Sequence, residues 1–325
     1  MNILLFGKDG QLGLAFQSAL QRMAGAGVLI TSCGRSECDL ASAESLEILL
    51  HTVKPHLIIN ASAYTAVDKA EQEPELAESI NARAPAIMAS YAAQHGVTLL
   101  HYSTDYVFDG GKQGRYEEND LRNPLSVYGK SKAAGELAII NAFDQTNASG
   151  RYAIFRTSWV YGLGANFIRT ILRLAKERNQ LKVIDDQYGV PTSAQWLATL
   201  SSFFLLDLSR SGDVSLRDFQ SGIYHVVPSG ETSWHGLACE VVRVASEAGA
   251  PLTLAIEGIE PIPAVEYPLP APRPMNSRLS TVKLAAELQR LGLMSKLADS
   301  NNALSQPWSE SVCAYVKKIV TQGDI

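Results

Sequence analysis

Asn2-Ile-Leu-Leu-Phe-Gly-Lys-Asp-Gly-Gln-Leu-Gly13 opens the chain, and the order of residue types in it decides the fold. Ile3 to Phe6 is a short, continuous apolar run, as expected of a strand buried on both faces of a parallel sheet. Gly7, Gly10 and Gly13 follow, and the helical pattern Leu14, Phe16, Leu20 comes directly after them. Glycines let the backbone turn tightly and approach a pyrophosphate, and the helix N-terminus adds N–H donors and a favourable dipole. The spacing is G-x-x-G-x-x-G rather than G-x-G-x-x-G, so a plain glycine turn is the alternative. The strand before and the helix after favour a dinucleotide cradle built on Gly7, Gly10 and Gly13.

The same alternation continues outward. Val28 to Ser32 reads as a second strand, Leu46 to Val53 as an amphipathic helix, and Leu57 to Asn60 as a third strand. Asp68 to Asn81 and Ala84 to Gln94 are helical, and Val97 to Tyr102 is a further strand. This order predicts an α/β fold with a Rossmann-like, doubly wound parallel sheet. The third strand runs into Ala61-Ser62-Ala63-Tyr64-Thr65, whose small residues let the chain pass close to a cofactor on the ligand-binding edge. Where such folds often carry an acid facing the adenosine ribose, this chain has Cys33-Gly34-Arg35-Ser36. A guanidinium there can bind a 2′-phosphate, which points to NADPH, with NADH also possible. The alternative is a surface arginine in a turn. Asp39-Leu40 follows in the place where adenine is often contacted.

At 325 residues the chain is long enough for a large domain and a smaller one. We expect a dinucleotide-binding domain over 1–164, with later segments returning to it, and a smaller C-terminal α/β subdomain over 165–325 for substrate. Hydrophobic residues make up 46% and charged residues 19%, which fits a soluble globular enzyme rather than a disordered chain. The net charge of −5, with no Lys/Arg cluster, argues against a nucleic-acid partner. Cys33, Cys38, Cys239 and Cys313 form no C-x-x-C pair and no zinc-like spacing with histidines, and they read as thiols in a reducing compartment. The N-terminal apolar run reaches glycine after six residues and lacks the charged start of a signal peptide. No 18-residue apolar run follows, so the expectation is a cytoplasmic protein without a membrane partner.

Tyr128-Gly-Lys-Ser-Lys132 lies in a stretch, Leu125 to Asn141, that reads as a helix through Ala133, Leu137 and Ile140, with Glu136 one turn past Lys132. Positions i and i+4 share a helix face, so the phenol and the ammonium can share one small volume. A phenol of pKa about 10 is a poor acid near neutrality, and a neighbouring cation lowers it by about 1–3 units. Tyr128 is therefore a candidate proton donor, a role worth about 100- to 10,000-fold in rate. Ser103-Thr104-Asp105 falls at the carboxyl end of the preceding strand, where a hydroxyl can hold a carbonyl against Tyr128. Standing alone, those hydroxyls suit the capping of a turn as well. Phe108 to Asn123, rich in Gly, Asp, Glu and Asn, reads as a surface loop over the site.

Ile154 to Thr157 is the next strand, and Trp159 after it suits stacking on a sugar or packing in the core. From about residue 165 the pattern loosens. Helices are expected over Phe167–Glu177, Ala194–Leu208 and Trp234–Ala248, a strand over Ile223–Val227, and a strand and loop over Val183–Thr192. Glu260 to Pro274 holds six prolines and is expected to be extended and structureless, wrapping over a ligand. It leads into the basic stretch Arg273-Pro-Met-Asn-Ser-Arg-Leu279, suited to phosphates.

The glycine turn, Ser103-Thr-Asp-Tyr-Val-Phe-Asp109 and Tyr128-x-x-x-Lys132 together resemble the extended short-chain dehydrogenase/reductases, which act largely on nucleotide sugars. Ala66-Val-Asp-Lys-Ala-Glu71, Phe155-Arg-Thr-Ser-Trp-Val-Tyr161, Asp186-Gln-Tyr-Gly-Val-Pro-Thr192 and Arg273 to Leu279 narrow this to a likeness with the dTDP-4-dehydrorhamnose reductase family, running to about residue 316. The resemblance implies NAD(P)H-dependent reduction of the 4-keto group of dTDP-4-dehydro-L-rhamnose. Tyr128 would donate the proton, Thr104 would polarise the carbonyl, and Lys132 would hold the nicotinamide ribose and lower the tyrosine pKa. It further implies that Gly10, Gln11, Leu12, Asp39, Leu40, Ala63, Tyr64, Thr65 and Tyr102 line the cofactor. Asp105 and Trp159 would contact the sugar, and Arg273 and its neighbours, Asn276 among them, the nucleotide end. Some relatives pair through a metal ion held by glutamates. The matching positions here are Ala15 and Gln195, and a hard cation needs charged oxygen ligands, so no metal bridge is expected in a monomer or homodimer.

Two rivals stand beside the reductase. A 4-epimerase or 4,6-dehydratase shares the scaffold, but a dehydratase needs an acid/base carboxylate pair, and Asp105 is followed by Tyr106 rather than Glu. An epimerase keeps its coenzyme and consumes none. A non-catalytic regulatory subunit with the same fold would have no need of Thr104, Tyr128 and Lys132 together.

Overall fold

The computed structural model describes residues 1–21, 27–145, 149–208, 213–300 and 303–323. Its centre is a parallel sheet of β1 (Asn2–Phe6), β2 (Leu29–Cys33), β3 (Leu57–Asn60), β4 (Thr98–Thr104), β5 (Arg151–Thr157) and β6 (Gly222–His225). The strands lie in the order β6-β5-β4-β3-β1-β2, every neighbouring pair parallel. Because side chains alternate across a strand, Ile3, Leu5, Leu57 and Ile59 enter one core and Leu4, Phe6 and Ile58 the other. Helices α1 (Gln11–Gln21) and α5 (Ala194–Leu205) cover the first face. Helices α2 (Ala43–Val53), α3 (Ala84–His95) and α4 (Val127–Asp144) cover the second. The chain leaves β1 to one side for β2 and returns on the other side for β3, so a crevice opens beyond the carboxyl ends of β1 and β3.

A third core lies outside this sheet, between the helices Phe167–Glu177, Trp234–Glu247 and Trp308–Gln322 and the strand Leu181–Ile184. Among the described residues, no helix is long and apolar enough to cross a membrane.

Several expected elements are corrected. The helix expected over Asp68–Asn81 is two short helices, Val67–Ala70 and Pro74–Glu78, because Pro74 cannot continue a helix and instead starts one. A π-type turn, Ser79–Arg83, then runs directly into α3. The stretch expected as one helix to Leu208 ends at Leu205, and Leu206–Leu208 pairs with Val214–Leu216. The proline-rich segment is not structureless throughout: Ile259–Ile262 pairs in parallel with Leu181–Ile184, and Asp185 N donates to Ile262 O at 2.9 Å. Pro261 fits because, among the described residues, no strand pairs with this strand's other edge, so its missing N–H costs no ladder bond. Phe108–Asn123 is not simply a surface loop, since Phe108 and Tyr116 are buried, stacked at 4.1 Å, and packed with Leu279.

Candidate active site

β4 delivers Thr104 and Asp105 to the carboxyl edge of the sheet, both buried. Opposite them, Ser126 caps α4 by accepting the Gly129 N–H at 3.1 Å, and Glu71 accepts the Val127 N–H at 2.8 Å. Those two bonds fix where the helix starts, and so where Tyr128 and Lys132 stand. Tyr128 lies beside Thr104, and its ring packs edge-on against Tyr106 at 5.5 Å. Thr104 donates its hydroxyl to Asp105 Oδ1 at 2.9 Å and accepts the Tyr106 N–H at 3.2 Å. The second oxygen of Asp105 is buried without a partner. Burial pushes the Asp105 carboxyl up to about 6, against the lowering effect of the nearby Ser277 and Thr104 hydroxyls.

The expected effect of Lys132 on Tyr128 is corrected. Burial pushes the phenol up to about 12, and Thr104 only partly offsets that. Lys132 is not among the groups that offset the burial; its Nζ is turned to Tyr102 O at 2.6 Å and to His101 Nε2 at 3.2 Å. Burial lowers Lys132 itself to about 8, with Glu136 resisting. Shared helix face did not mean shared charge.

At the other end of the crevice, Gly7 sits at φ +85°, and a Cβ there would stand 2.9 Å from the Ala61 carbonyl carbon and oxygen. A Cβ on Gly13 would stand 1.9 Å from the Gly7 oxygen, whereas one on Gly10 would keep 3.4 Å. The turn is therefore closed backbone on backbone, opening the 11-residue helix α1 with its N–H groups toward the crevice, a cradle that suits a diphosphate. Beside it a cleft of about 360 Å³ gathers Arg35, Asp39, Leu40, Ala63, Tyr64 and Thr65. Lys69 also lines it, a second cation the sequence reading did not name. An acid does follow β2, at Glu37, but its carboxylate is taken by Lys8 at 2.6 Å and the Gly34 N–H at 2.8 Å. These residues fit a dinucleotide carrying a 2′-phosphate. Gly13→Ala is expected to cost about 1–3 kcal/mol by overpacking and to weaken coenzyme binding sharply, while Gly10→Ala is tolerated. Thermal unfolding and a coenzyme fluorescence titration check both, and equal behaviour of the two variants would refute the geometry.

Other expected residues are placed differently. Tyr102 turns its ring into the core beside Phe16 and Phe155 and bonds to Ser201, leaving only its carbonyl at the site. Gln11 lies on a separate groove of about 430 Å³ with Ala15 and Gln195. Leu12 and Ala61 pack in the first core. Trp159 adopts φ +47° and stacks on Trp234 at 3.7 Å. Arg273 is gripped by both oxygens of Asp68, at 2.8 and 2.7 Å. Asn276 donates its amide hydrogens to Lys112 O and Gly114 O and accepts from Arg278 Nε through Oδ1, so it holds loops together instead of offering a free contact. One residue went unnoticed in sequence: buried Asn81 accepts the Tyr64 N–H at 2.8 Å and donates to Tyr64 O and to Ser131 Oγ beside Lys132. It ties the cofactor-lining loop to α4. No spacing rule marks such a residue.

The family profile described as RmlD substrate binding domain matches residues 1–298. The dTDP-4-dehydrorhamnose reductase of Salmonella typhimurium is 43% identical over 284 residues, covering 87% of this chain and 90% of that protein. A crystal structure of a dTDP-4-dehydrorhamnose reductase from Clostridium acetobutylicum superposes with a TM-score of 0.78 at 30% identity, over 98% of this chain and 99% of that one. That of Bacillus anthracis, solved in complex with NADP, gives a TM-score of 0.76 at 30% identity over 96% of both chains.

Proposed function

The chain belongs to the dTDP-4-dehydrorhamnose reductase family, and from that membership we propose that it reduces the 4-keto group of dTDP-4-dehydro-L-rhamnose to give dTDP-L-rhamnose, with NADPH as coenzyme. The observation that carries the reading is the closeness of the buried Thr104 hydroxyl, at the carboxyl end of β4, to the Tyr128 phenol, one turn before Lys132 on α4. When bound, NADPH supplies the hydride. Tyr128 gives its proton to the carbonyl oxygen as charge develops there, and burial keeps that proton on the phenol at neutral pH. Thr104 turns its hydroxyl from Asp105 to the same oxygen, a bond that strengthens as the oxygen becomes negative. Lys132 would hold the nicotinamide ribose, and the Gly7–Gly13 turn the diphosphate. Arg35, with Lys69 on the same cleft, would hold the 2′-phosphate. Asp105 and Trp159 face the sugar in this reading, and Arg273 reaches the nucleotide phosphates by leaving Asp68. Residues 165–325 form most of the substrate side, in a cytoplasmic monomer or homodimer.

Supplied with dTDP-4-dehydro-L-rhamnose, the protein is expected to oxidise NADPH mole for mole. Arg35→Leu should raise the KM for NADPH about tenfold or more and leave that for NADH unchanged, since one charge-assisted hydrogen bond is worth roughly 1.5–3 kcal/mol. A folded protein that binds NADPH and oxidises none would overturn the reductase reading. Turnover without net oxidation would favour an epimerase. Equal KM values would remove Arg35 from the site.

A further inference from the structure

Beneath Lys132 lies a row of buried polar groups that the proposed reaction does not use. Asn60 is fully buried at the end of β3, and His101 on β4 and Lys132 on α4 are each 1% exposed. Asn60 Oδ1 accepts the backbone N–H of Ser62 at 3.1 Å. A backbone N–H can only donate, so this bond fixes which way the amide points. Asn60 Nδ2 then faces His101 Nδ1 at 3.0 Å, and the amide must be the donor there. His101 Nδ1 is therefore an acceptor, and the proton of the neutral imidazole sits on Nε2. That Nε2–H points at Lys132 Nζ, 3.2 Å away. The chain of donors runs one way, from Ser62 N–H through Asn60 and His101 to Nζ. An ammonium at its end would set N–H against N–H. A neutral amine accepts the last bond and still donates to Tyr102 O at 2.6 Å.

We propose that Asn60 and His101 are positioning residues whose directed hydrogen bonds favour the neutral amine of Lys132 over its ammonium in the free enzyme, so that Nζ gives up and takes back a proton readily one helical turn from Tyr128. The surroundings agree in direction. Burial lowers Lys132 to about 8 and holds His101 well below the ordinary histidine range, so the imidazole stays neutral. Glu136 favours the ammonium, but its carboxylate is already shared by Arg156 and Arg122. Of the charged groups nearby, Glu71 is spent on the Val127 N–H, Asp68 on Arg273, Lys69 on Glu73 and Arg83 on Glu78, while Asp105 accepts from Thr104 through Oδ1 and keeps Oδ2 unpartnered.

The inference rests on the reading of Lys132 as a site residue, but its test does not need turnover. The ligand-free protein labelled with ¹⁵N-histidine gives a two-bond ¹H–¹⁵N spectrum of only six imidazoles, in which His101 is assigned by its loss in His101→Gln. The expected result is a proton on Nε2, with a titration near pH 8 that vanishes in Lys132→Met. Asn60→Asp is expected to reverse the chain, because an ionised carboxylate accepts from both Ser62 N–H and Nδ1–H. The proton then moves to Nδ1, Nε2 accepts from an ammonium, and the titration rises by about 1–3 pH units, as does the matching limb of the kcat/KM profile. A proton on Nδ1 in the wild type, or a wild-type Nε2 signal that titrates only above about pH 10, overturns the proposal. A proton that stays on Nε2 in Asn60→Asp overturns the role of Asn60. If the protein reduces nothing, the spectrum still decides the tautomer.

Discussion

Tyr128→Phe is expected to lower kcat by about 100- to 10,000-fold while leaving NADPH affinity unchanged, the loss that follows when a positioned proton donor is removed. The substitution deletes one oxygen and keeps the ring that packs on Tyr106. Fold and coenzyme site should persist, which a fluorescence titration with NADPH checks. Thr104 keeps Asp105 Oδ1 and the Tyr106 N–H, so no buried hydroxyl is orphaned. The pH profile sharpens the test. Burial raises the free-enzyme phenol to about 12, so its deprotonation should leave kcat/KM untouched until strongly alkaline pH. An alkaline limb near pH 8 would then belong to Lys132, the group lowered to about that value. If the variant keeps most of its kcat, Tyr128 is not the acid, and the hydroxyl of Thr104 becomes the group to remove next.

What was legible in sequence is what chain-local physics dictates. Ile3–Phe6, Gly7, Gly13 and Leu14–Leu20 are neighbours in sequence, and the strand, turn and helix they form need no distant partner to be recognised. The i,i+4 relation of Tyr128 and Lys132 was local too, and both do stand on α4. Where Nζ points was not local. It is set by His101, 31 residues upstream, and through it by Asn60, 41 residues further back. Asn81 reaches Ser131 across 50 residues. Contacts of that separation leave no periodicity, so spacing alone could not show that burial, rather than Lys132, dominates the Tyr128 phenol. Proline misled in the same way. Six prolines suggested an extended stretch without secondary structure, but Pro261 stands in a strand whose side away from Leu181–Ile184 asks for no N–H.

Glu136→Gln should show the largest effect on stability, about 3–5 kcal/mol less than the wild type in urea at pH 7, the cost of leaving a buried charge without its partner. The carboxylate is fully buried and accepts from Ser103 Oγ at 2.5 Å, Arg156 Nε at 2.8 Å, Arg156 Nη2 at 2.6 Å and Arg122 Nη1 at 3.1 Å. Glutamine keeps the volume, so no cavity contributes. It replaces one acceptor oxygen by an N–H₂ that meets a guanidinium head-on, and Arg156, 1% exposed, is left with Glu118 O and a neutral His225. The pH dependence follows in sign. Burial opposes ionisation of Glu136, yet Arg156, Ser103 and Arg122 hold the carboxyl below its ordinary range. Its stabilisation is therefore complete above the unfolded value of about 4.3 and is lost as pH falls through the folded one, so the gap between the two proteins should narrow in acid. Ser103 adjoins Thr104 on β4, and Glu136 lies one turn beyond Lys132 on α4. The same pair thus fixes the strand bearing the hydroxyl against the helix bearing the phenol, and kcat should fall along with stability. A gap under about 1 kcal/mol at pH 7, the size of an exposed pair, would mean that water reaches this network and that it does not set the catalytic geometry.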